Sequence, residues 1–397
     1  MSSITDKTIS PGKASLFYDP QIRGYFYQFL LLAIVAFLVW SATTNVIDNL
    51  RAQKIASGFG FWNNAAGFDV NQKLIPFSAS GSTYGQAFFV GLLNTLLVAA
   101  IGIVFATILG FAIGVARLSS NWIVAKMAMV YVEIIRNIPL LLQLFFWYNA
   151  VLKPLPDARN SISLPGGIYL NNRGIIMPTP QFGAAFEFVL LALVAGIVGA
   201  IAFFVWSRRQ QARTGRQYPN GWIALGLIIG LPLLVFFATG RPLGFEFPQQ
   251  GRFNLTGGVQ IFPEFVALLI GLSTYTAGFI AEVVRAGILA VSRGQTEAAH
   301  ALGLRPGPTL KLVVVPQAMR VIIPPLTSQY LNLVKNSSLA VAIGYPDLTQ
   351  VFMGTVLNQT GQAVEMVSIT MGVYLTISLV TSIAMNIYNK RMALVER

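Results

Sequence analysis

The sequence predicts an all-α, polytopic membrane helix bundle of about eight transmembrane helices. Three observations predict it. Of 397 residues, 55% are hydrophobic and only 10% charged, against about 25% charged in a soluble domain, and mean hydropathy is +0.65. Apolar runs of about 20 residues, enough to cross a bilayer as helix, recur along the whole length. In lipid the backbone must satisfy its own hydrogen bonds, and runs this long do so as helices rather than as the strands of a barrel.

Composition removes several function classes. The formal charge of +13, on a membrane protein, belongs to Lys and Arg in cytoplasmic loops rather than to nucleic-acid binding. There is no Cys, which excludes disulfides, thiolate metal sites and Cys nucleophiles. The single His300 cannot build a His-rich metal site and reads as a solvated or interface residue.

Taken in order, residues 1–21 are polar, with Lys7, Pro11 and Lys13, and read as a disordered cytoplasmic tail. Span 1, about 22–43, has no small-residue cleavage site after it and reads as an uncleaved signal anchor. The loop at about 44–84 contains GFGFWNNAAGFDV. Its Gly and Asn say loop, and its Phe and Trp predict a face lying on the membrane interface. Span 2 is about 86–116, and Arg117 and Lys126 flank a tight turn before span 3, about 127–152. Span 4, about 183–206, is followed by a loop with Arg208, Arg209, Arg213 and Arg216 and no acid. Span 5 is about 221–239 and span 6 about 262–291. Span 7, about 317–345, is interrupted at Pro324-Pro325. Span 8, about 363–388, ends in the basic Asn389-Lys390-Arg391. Eight spans put both termini on one side, with the 117–126 turn, the 207–220 loop and the 293–317 loop. The positive-inside rule makes that side cytoplasmic. The outer side also carries Arg51, Lys54, Lys73, Lys153, Arg159 and Arg173, so the bias is moderate. The outer loops at about 152–182 and 240–261 are rich in Pro, Gly and Asn and read as irregular structure.

The stretch Arg293–Gln317 is a polar, basic interlude between two apolar segments. Glu297-Ala298-Ala299 starts a helix-prone run, Gly303 ends it, and Pro306 and Pro308 forbid its continuation. Three residues separate Ala299 from Gly303, and nine more precede Val313-x-Val315-Pro316. This spacing resembles the EAA loop of the permease subunits of binding-protein-dependent ABC importers, with Val313 and Val315 where the family has Ile and Leu. An isolated Glu-Ala-Ala would read as an ordinary loop; the long spacing, on the basic side between two spans, does not.

Two further stretches resemble the polar-amino-acid branch of that family. One is Tyr131-Val-Glu-Ile-Ile-Arg-Asn-Ile-Pro-Leu-Leu-Leu-Gln143, with Arg136-Asn137-Ile138-Pro139 where the family has Arg-Gly-Thr-Pro. The other is Tyr275-Thr-Ala-Gly-Phe-Ile-Ala-Glu-Val-Val-Arg-Ala-Gly287. With Pro316-Gln317, Pro324-Pro325 and Lys335-Asn336-Ser337-Ser338-Leu339, the likeness covers spans 2, 3, 6, 7 and 8, the family's MetI-like five-helix core. The resemblance implies a division into 1–84 (tail, first helix and long outer loop), 85–391 (transmembrane domain, with a helix pair inserted at about 153–261) and 392–397 (cytoplasmic tail). The enlarged layout is similar to the Q-type permease subunits of general L-amino-acid importers.

That resemblance implies the function. The chain is expected to carry L-amino acids across the inner membrane and to do no bond chemistry. Partners implied are a second permease subunit, a paralogue, in a heterodimer; two copies of a cytoplasmic ABC ATPase; a periplasmic amino-acid-binding protein; and membrane lipid, but no nucleic acid. Glu297, Ala298, Ala299 and Gly303 are expected to couple to the ATPase, which alone binds ATP; no cofactor is expected here. The chain has no Gly-x-x-x-x-Gly-Lys-Ser/Thr phosphate loop. The rival reading is a secondary transporter driven by an ion gradient, which explains buried charges but not the EAA spacing.

Charges inside spans are the other candidates, because burying them costs several kcal/mol, on the order of 3. Glu133 and Arg136, and Glu282 and Arg285, are each three apart and can meet on one helix face. They are either self-neutralising pairs or groups for a zwitterionic cargo, Arg for its carboxylate and Glu for its ammonium. Glu282 lies about eleven residues, roughly 16 Å, from the inner end of span 6, and Arg136 at similar depth, so these two are expected to meet across a pathway. Glu133 and Arg285, nearer the cytoplasm, suit a gate or structural lock. Tyr275, Lys335, Asn336, Ser337 and Ser338 complete the expected pathway, with Ser273 and Thr276 near the same cavity and a broken span 7 lining it. Asn94, Thr95 and Gln143 are expected to bond between helices.

Overall fold

The computed structural model describes residues 20–52, 57–251 and 254–392. The tail expected at the N-terminus lies outside them up to residue 19, as do Lys54 and residues 393–397. Helix α1, Pro20–Ala52, runs longer than the apolar stretch predicts and exposes its apolar side chains along its length. Helix α2, Tyr84–Ala116, opens on a capping box: Thr83 Oγ1 accepts from the Gln86 amide and Gln86 Oε1 accepts from the Thr83 amide.

Span 3 is not continuous. Helix α3, Trp122–Asn137, starts on Asn121, whose Oδ1 accepts from the Ile123 and Val124 amides. It stops before Pro139, and α4, Leu140–Phe145, continues as a π-helical run to Leu152. The two arms meet at 104°. Pro139 has no amide hydrogen and forces Ile138 into extended backbone. Gln143 Nε2 donates to the Ile135 and Ile138 carbonyls, both at 2.9 Å, so the residue expected to bond between helices instead satisfies the break.

The outer loops are more ordered than their composition predicts. Strands β1 Ile162–Leu164, β2 Ile168–Asn171, β3 Gly174–Met177 and β4 Thr179–Phe182 follow α4. After α5, Phe186–Thr214, and a continuous span in which a π-helical run, Gly226–Gly230, joins α6 Asn220–Leu225 to α7 Leu231–Ala238, the chain forms β5 Leu243–Glu246, β6 Gln249–Gln250, β7 Leu255–Thr256 and β8 Val259–Ile261. One antiparallel sheet has the order β1-β2-β3-β8, a two-stranded antiparallel sheet pairs β4 with β5 across the intervening helices, and β6 pairs with β7. Strands of two to four residues carry too little alternation to show against Gly and Pro.

Helices α8 Pro263–Leu289, α9 Arg293–Ala301, α10 Pro306–Thr309, α11 Val315–Asn336, α12 Leu357–Thr360 and α13 Ala363–Met392 complete the chain. The interruption expected at Pro324-Pro325 is absent: both lie inside α11. Their missing donors free only the carbonyls one turn back, and neighbouring structure in a bundle tolerates that.

The main helix contact is α2 against α8. Gly110 and Gly114 let the backbones approach: a Cβ at Gly114 would lie 2.8 Å from the Ala281 carbonyl oxygen. Around this contact sit Ala106, Ile280, Val284 and Ile322 at one end and Val98, Leu268, Leu272 and Tyr345 midway. At the other end, Phe61, Val70 and Phe77 of the loop after α1 pack with Val90, Phe352 and Met366. That loop is expected on the membrane interface; its Phe61 and Phe77 instead join the protein core, Trp62 and Phe68 pack partly buried against them, and Phe59 stays exposed. Helix α5 packs on the α6–α7 arm, with Gly196 against the Leu227 backbone.

Candidate functional site

Helix α9 is the expected coupling element, and it begins at Arg293, four residues before Glu297. Ala299 is buried, while Glu297, Ala298 and His300 are exposed. Gly303, at φ +77°, terminates it. The Gly303 amide donates to the His300 carbonyl at 2.9 Å and the Leu304 amide to the Ala299 carbonyl at 3.1 Å, the paired bonds of a Schellman cap. Pro306 then starts α10 instead of merely ending α9. A π-helical run, Leu310–Val314, joins α10 to α11 without a break, and α9 packs on that run. Gln317 Nε2 donates to Gln295 Oε1 at 3.3 Å, tying α9 to the start of α11. A push on the exposed face of α9 therefore reaches a helix that runs deep into the bundle.

Glu282 is the centre of an ionic cluster. It pairs with Arg117, with Arg285 at 3.2 Å and with Arg136 at 3.8 Å. Arg136 also lies over the Phe279 ring, 5.1 Å from its centroid, and Tyr275 packs its ring on Phe279 at 5.0 Å. The pairings of Glu282 with Arg136 and with Arg285 are present. Glu133 does not pair with Arg136; its Oε1 accepts from Asn137 Nδ2 at 3.2 Å. Glu133 and Arg285 are not paired with each other, since Arg285 is held by Glu282. The cluster is shallower than the expected 16 Å, because α8 ends at Leu289, seven residues or about 10 Å past Glu282. In the sequence Arg117 shows only as the flank of a turn. As the residue that caps α2, it comes level with the last turns of α8, which runs parallel to α2, with Gly110 against Ile280 and Gly114 against Val284; counting back from the shared C-terminal ends of the two helices reveals that position.

The polar end of α11 divides. Lys335 is exposed and Asn336 half-buried. Ser337 Oγ donates to the Val334 carbonyl and Ser338 Oγ to the Lys335 carbonyl, both at 2.7 Å, so these hydroxyls close their own helix end. Ser338 also lines a cavity of about 490 Å³ with Thr349, Thr370 and Tyr374. Thr370 Oγ1 is buried without a hydrogen-bond partner. Behind it, Tyr374 Oη donates to Asp347 Oδ2 at 3.0 Å, and the Gln350 amide donates to Asp347 Oδ1 at 2.8 Å. Asp347 is fully buried and was missed by the sequence reading, because it lies beyond the expected end of span 7.

Asn94 and Thr95 hold this segment to α2. Asn94 Nδ2 donates to the Gln72 and Pro346 carbonyls at 2.8 and 2.9 Å, and Thr95 Oγ1 accepts from the Leu348 amide at 3.0 Å. Ser273 and Thr276 are buried in α8, Ser273 Oγ without a partner. A pocket of about 150 Å³ at the opposite end from α9 is lined by Asp69, Asn71, Gln72, Glu264 and Gln350. There Lys73, 2.9 Å from Asp69, holds that carboxyl below its usual range. Among the described residues, no three His, Cys, Asp or Glu side chains gather as a metal site.

Comparison with known proteins agrees with this architecture. A family model described as "Binding-protein-dependent transport system inner membrane component" matches residues 222–394. The chain is 55% identical over 383 residues to the general L-amino acid transport system permease protein AapQ of Rhizobium johnstonii, covering 96% of this chain and 95% of the relative. It is 52% identical over 386 residues to the putative amino-acid ABC transporter permease protein YhdX of Escherichia coli, covering 97% and 98%. It is 44% identical over 414 residues to the glutamate/glutamine/aspartate/asparagine transport system permease protein BztB of Rhodobacter capsulatus, covering 96% of each.

Proposed function

The chain belongs to the inner-membrane components of binding-protein-dependent ABC importers, in their amino-acid permease branch, and on that premise we propose that it moves L-amino acids inward on the power of two copies of a separate cytoplasmic ATPase. It is a permease and not an enzyme, and the ATP-driven reading stands over the ion-coupled one. In the proposed cycle a periplasmic binding protein delivers cargo at the end bearing the β-sheet and the Asp69–Glu264 pocket. The basic loops and both termini face the cytoplasm, with α9 among them. A paralogous permease completes a heterodimer, and ATP is bound by the ATPase alone.

One observation carries the coupling. Helix α9 presents Glu297 and Ala298 outward while Ala299 anchors it, and its only covalent route onward is the unbroken run into α11. ATPase closure displaces α9; α11 follows; the Ser337–Ser338 end of α11 moves against the segment that holds Asp347. Proline at 324 and 325 gives α11 a compliant point close to its middle, because two ladder bonds are missing there.

The Glu282 cluster then serves the cargo and the gate together. Three guanidiniums surround one carboxylate, so the local excess is positive and suits the carboxylate of an amino acid more than its ammonium. Arg136, at the longest of the three contacts, is the one released most readily. In this reading Arg136 exchanges Glu282 for the cargo carboxylate, while Arg117 and Arg285 keep Glu282 neutralised. Tyr275, Lys335, Asn336, Ser337 and Ser338 lie along the route.

The test is a pull-down of the tagged chain from membranes, followed by reconstitution. An ATPase and a second permease must co-purify, and uptake of amino acids into vesicles must require both ATP and the binding protein. Uptake by the isolated chain in an ion gradient contradicts the proposal.

A further inference from the structure

We propose that a pocket between the end of α2, the start of α3 and the last turns of α8 holds the phosphate headgroup of an anionic phospholipid. It has a volume of about 350 Å³ and is lined by Arg117, Trp122, Ala125, Lys126, Met129 and Arg285. This rests on the chain spanning a membrane, not on what it transports or which way it faces.

Charge comes first. The pocket wall carries three cations and no carboxylate. Glu282 stands behind it and is shared among Arg117, Arg285 and Arg136, so one negative charge answers three positive ones. Lys126 is exposed, and among the described residues no carboxylate lies within ion-pairing distance of it. A phosphate diester meets this excess with a single charge and several acceptor oxygens, which guanidinium and ammonium groups bind as donors.

Depth comes second. Arg117 caps the end of α2, Lys126 is four residues into α3 and Arg285 four residues before the end of α8. Each therefore lies within about 6 Å of a helix end. The headgroup layer occupies about 5–7 Å on each side of the hydrocarbon core, so the three cations sit at the level of lipid phosphate.

The third observation separates a lipid from a soluble anion. Trp122 is 74% exposed, Met127 69% and Ile123 59%, so the cations open beside an apolar helix face suited to acyl chains. Tryptophan at a helix end marks the membrane interface. Basic pockets between helices at this level are where anionic headgroups settle.

Lys126 is outside the Glu282 cluster, so Lys126→Glu changes the pocket without breaking that network. The complex is reconstituted in nanodiscs containing brominated phosphatidylglycerol or brominated phosphatidylcholine. Quenching of Trp122 is read as the signal lost in a Trp122→Phe variant. Wild type is expected to show at least a fivefold preference for the glycerol lipid, the factor for one cation near the surface, and Lys126→Glu to abolish it. Inorganic phosphate at millimolar concentration is expected to leave the quenching unchanged. Equal quenching by both lipids, a preference surviving Lys126→Glu, or displacement by inorganic phosphate overturns the assignment.

Discussion

Replacing Gly114 by alanine sets two opposing effects against each other, and the geometry decides between them. Alanine favours helix over glycine by about 1 kcal/mol. Against this, the new methyl at Gly114 would lie 2.8 Å from the Ala281 carbonyl oxygen and 2.8 Å from Val284 Cβ. Carbon contacts relax at about 3.5–4.0 Å, so α2 and α8 must separate by about 0.7 Å. Neither obstacle can swing aside, since one is backbone and the other a branched carbon bonded to it. Overpacking of this kind costs about 1–3 kcal/mol, so the net loss is about 1 kcal/mol, and Gly110→Ala, 2.5 Å from Ile280 Cβ, loses as much or more. Gly372 in α13 has nothing within 4 Å of an added Cβ, and Gly372→Ala gains the helix term without the clash. The assay is thermal unfolding of the three variants in detergent. Gly114→Ala melting at or above wild type, alongside Gly372→Ala, refutes the close-packing argument.

Glu297→Lys reverses a charge on the exposed face of α9 and is expected to cut ATPase co-elution about tenfold or more, ~1.4 kcal/mol, with insertion unchanged; a pull-down reads it. Gly303→Val puts a β-branched residue at φ +77°, costs about 1–2 kcal/mol and is expected to speed hydrogen exchange of the Gly303 and Leu304 amides. Arg136→Ala and Glu282→Gln are expected to lower substrate-stimulated ATP hydrolysis at least tenfold while the complex still assembles; wild-type stimulation in liposomes moves both residues to a purely structural role. Asp347→Ala strands Tyr374 Oη and the Gln350 amide in a buried site, at about 1–3 kcal/mol for each group left unpaired; an unchanged melting temperature contradicts that.

What could be read from the chain, and what could not, divides by the range of the signal. Helix existence follows from local hydropathy, so the long apolar runs and the glycine that closes α9 were legible. The bend at Pro139 was written in Asn137-Ile138-Pro139 but hidden by the apolar run on both sides of it. The Glu282–Arg285 contact is local, three residues apart on one helix. Arg117 reaches the same carboxylate from 165 residues away, and nothing in its neighbourhood announces the partner. Asp347 was invisible for a similar reason: its burial depends on α2 and α13 closing over it. The loop aromatics misled because Phe61 and Phe77 are as apolar in a protein core as at a lipid surface.

The β3–β8 seam has a consequence for how such a chain arises. Met177 and Val259 face each other across it, so everything from 178 to 258, two spanning arms included, leaves and re-enters the protein through adjacent rungs. Paired residues sit about 5 Å apart, a gap that a two-residue turn bridges. The excursion thus behaves as a cassette clipped in at this seam, with Gln250 Nε2 donating to the Arg159 carbonyl and Arg173 to Asn254 Oδ1 as side ties to the preceding loop, and its removal need not move α4 or α8.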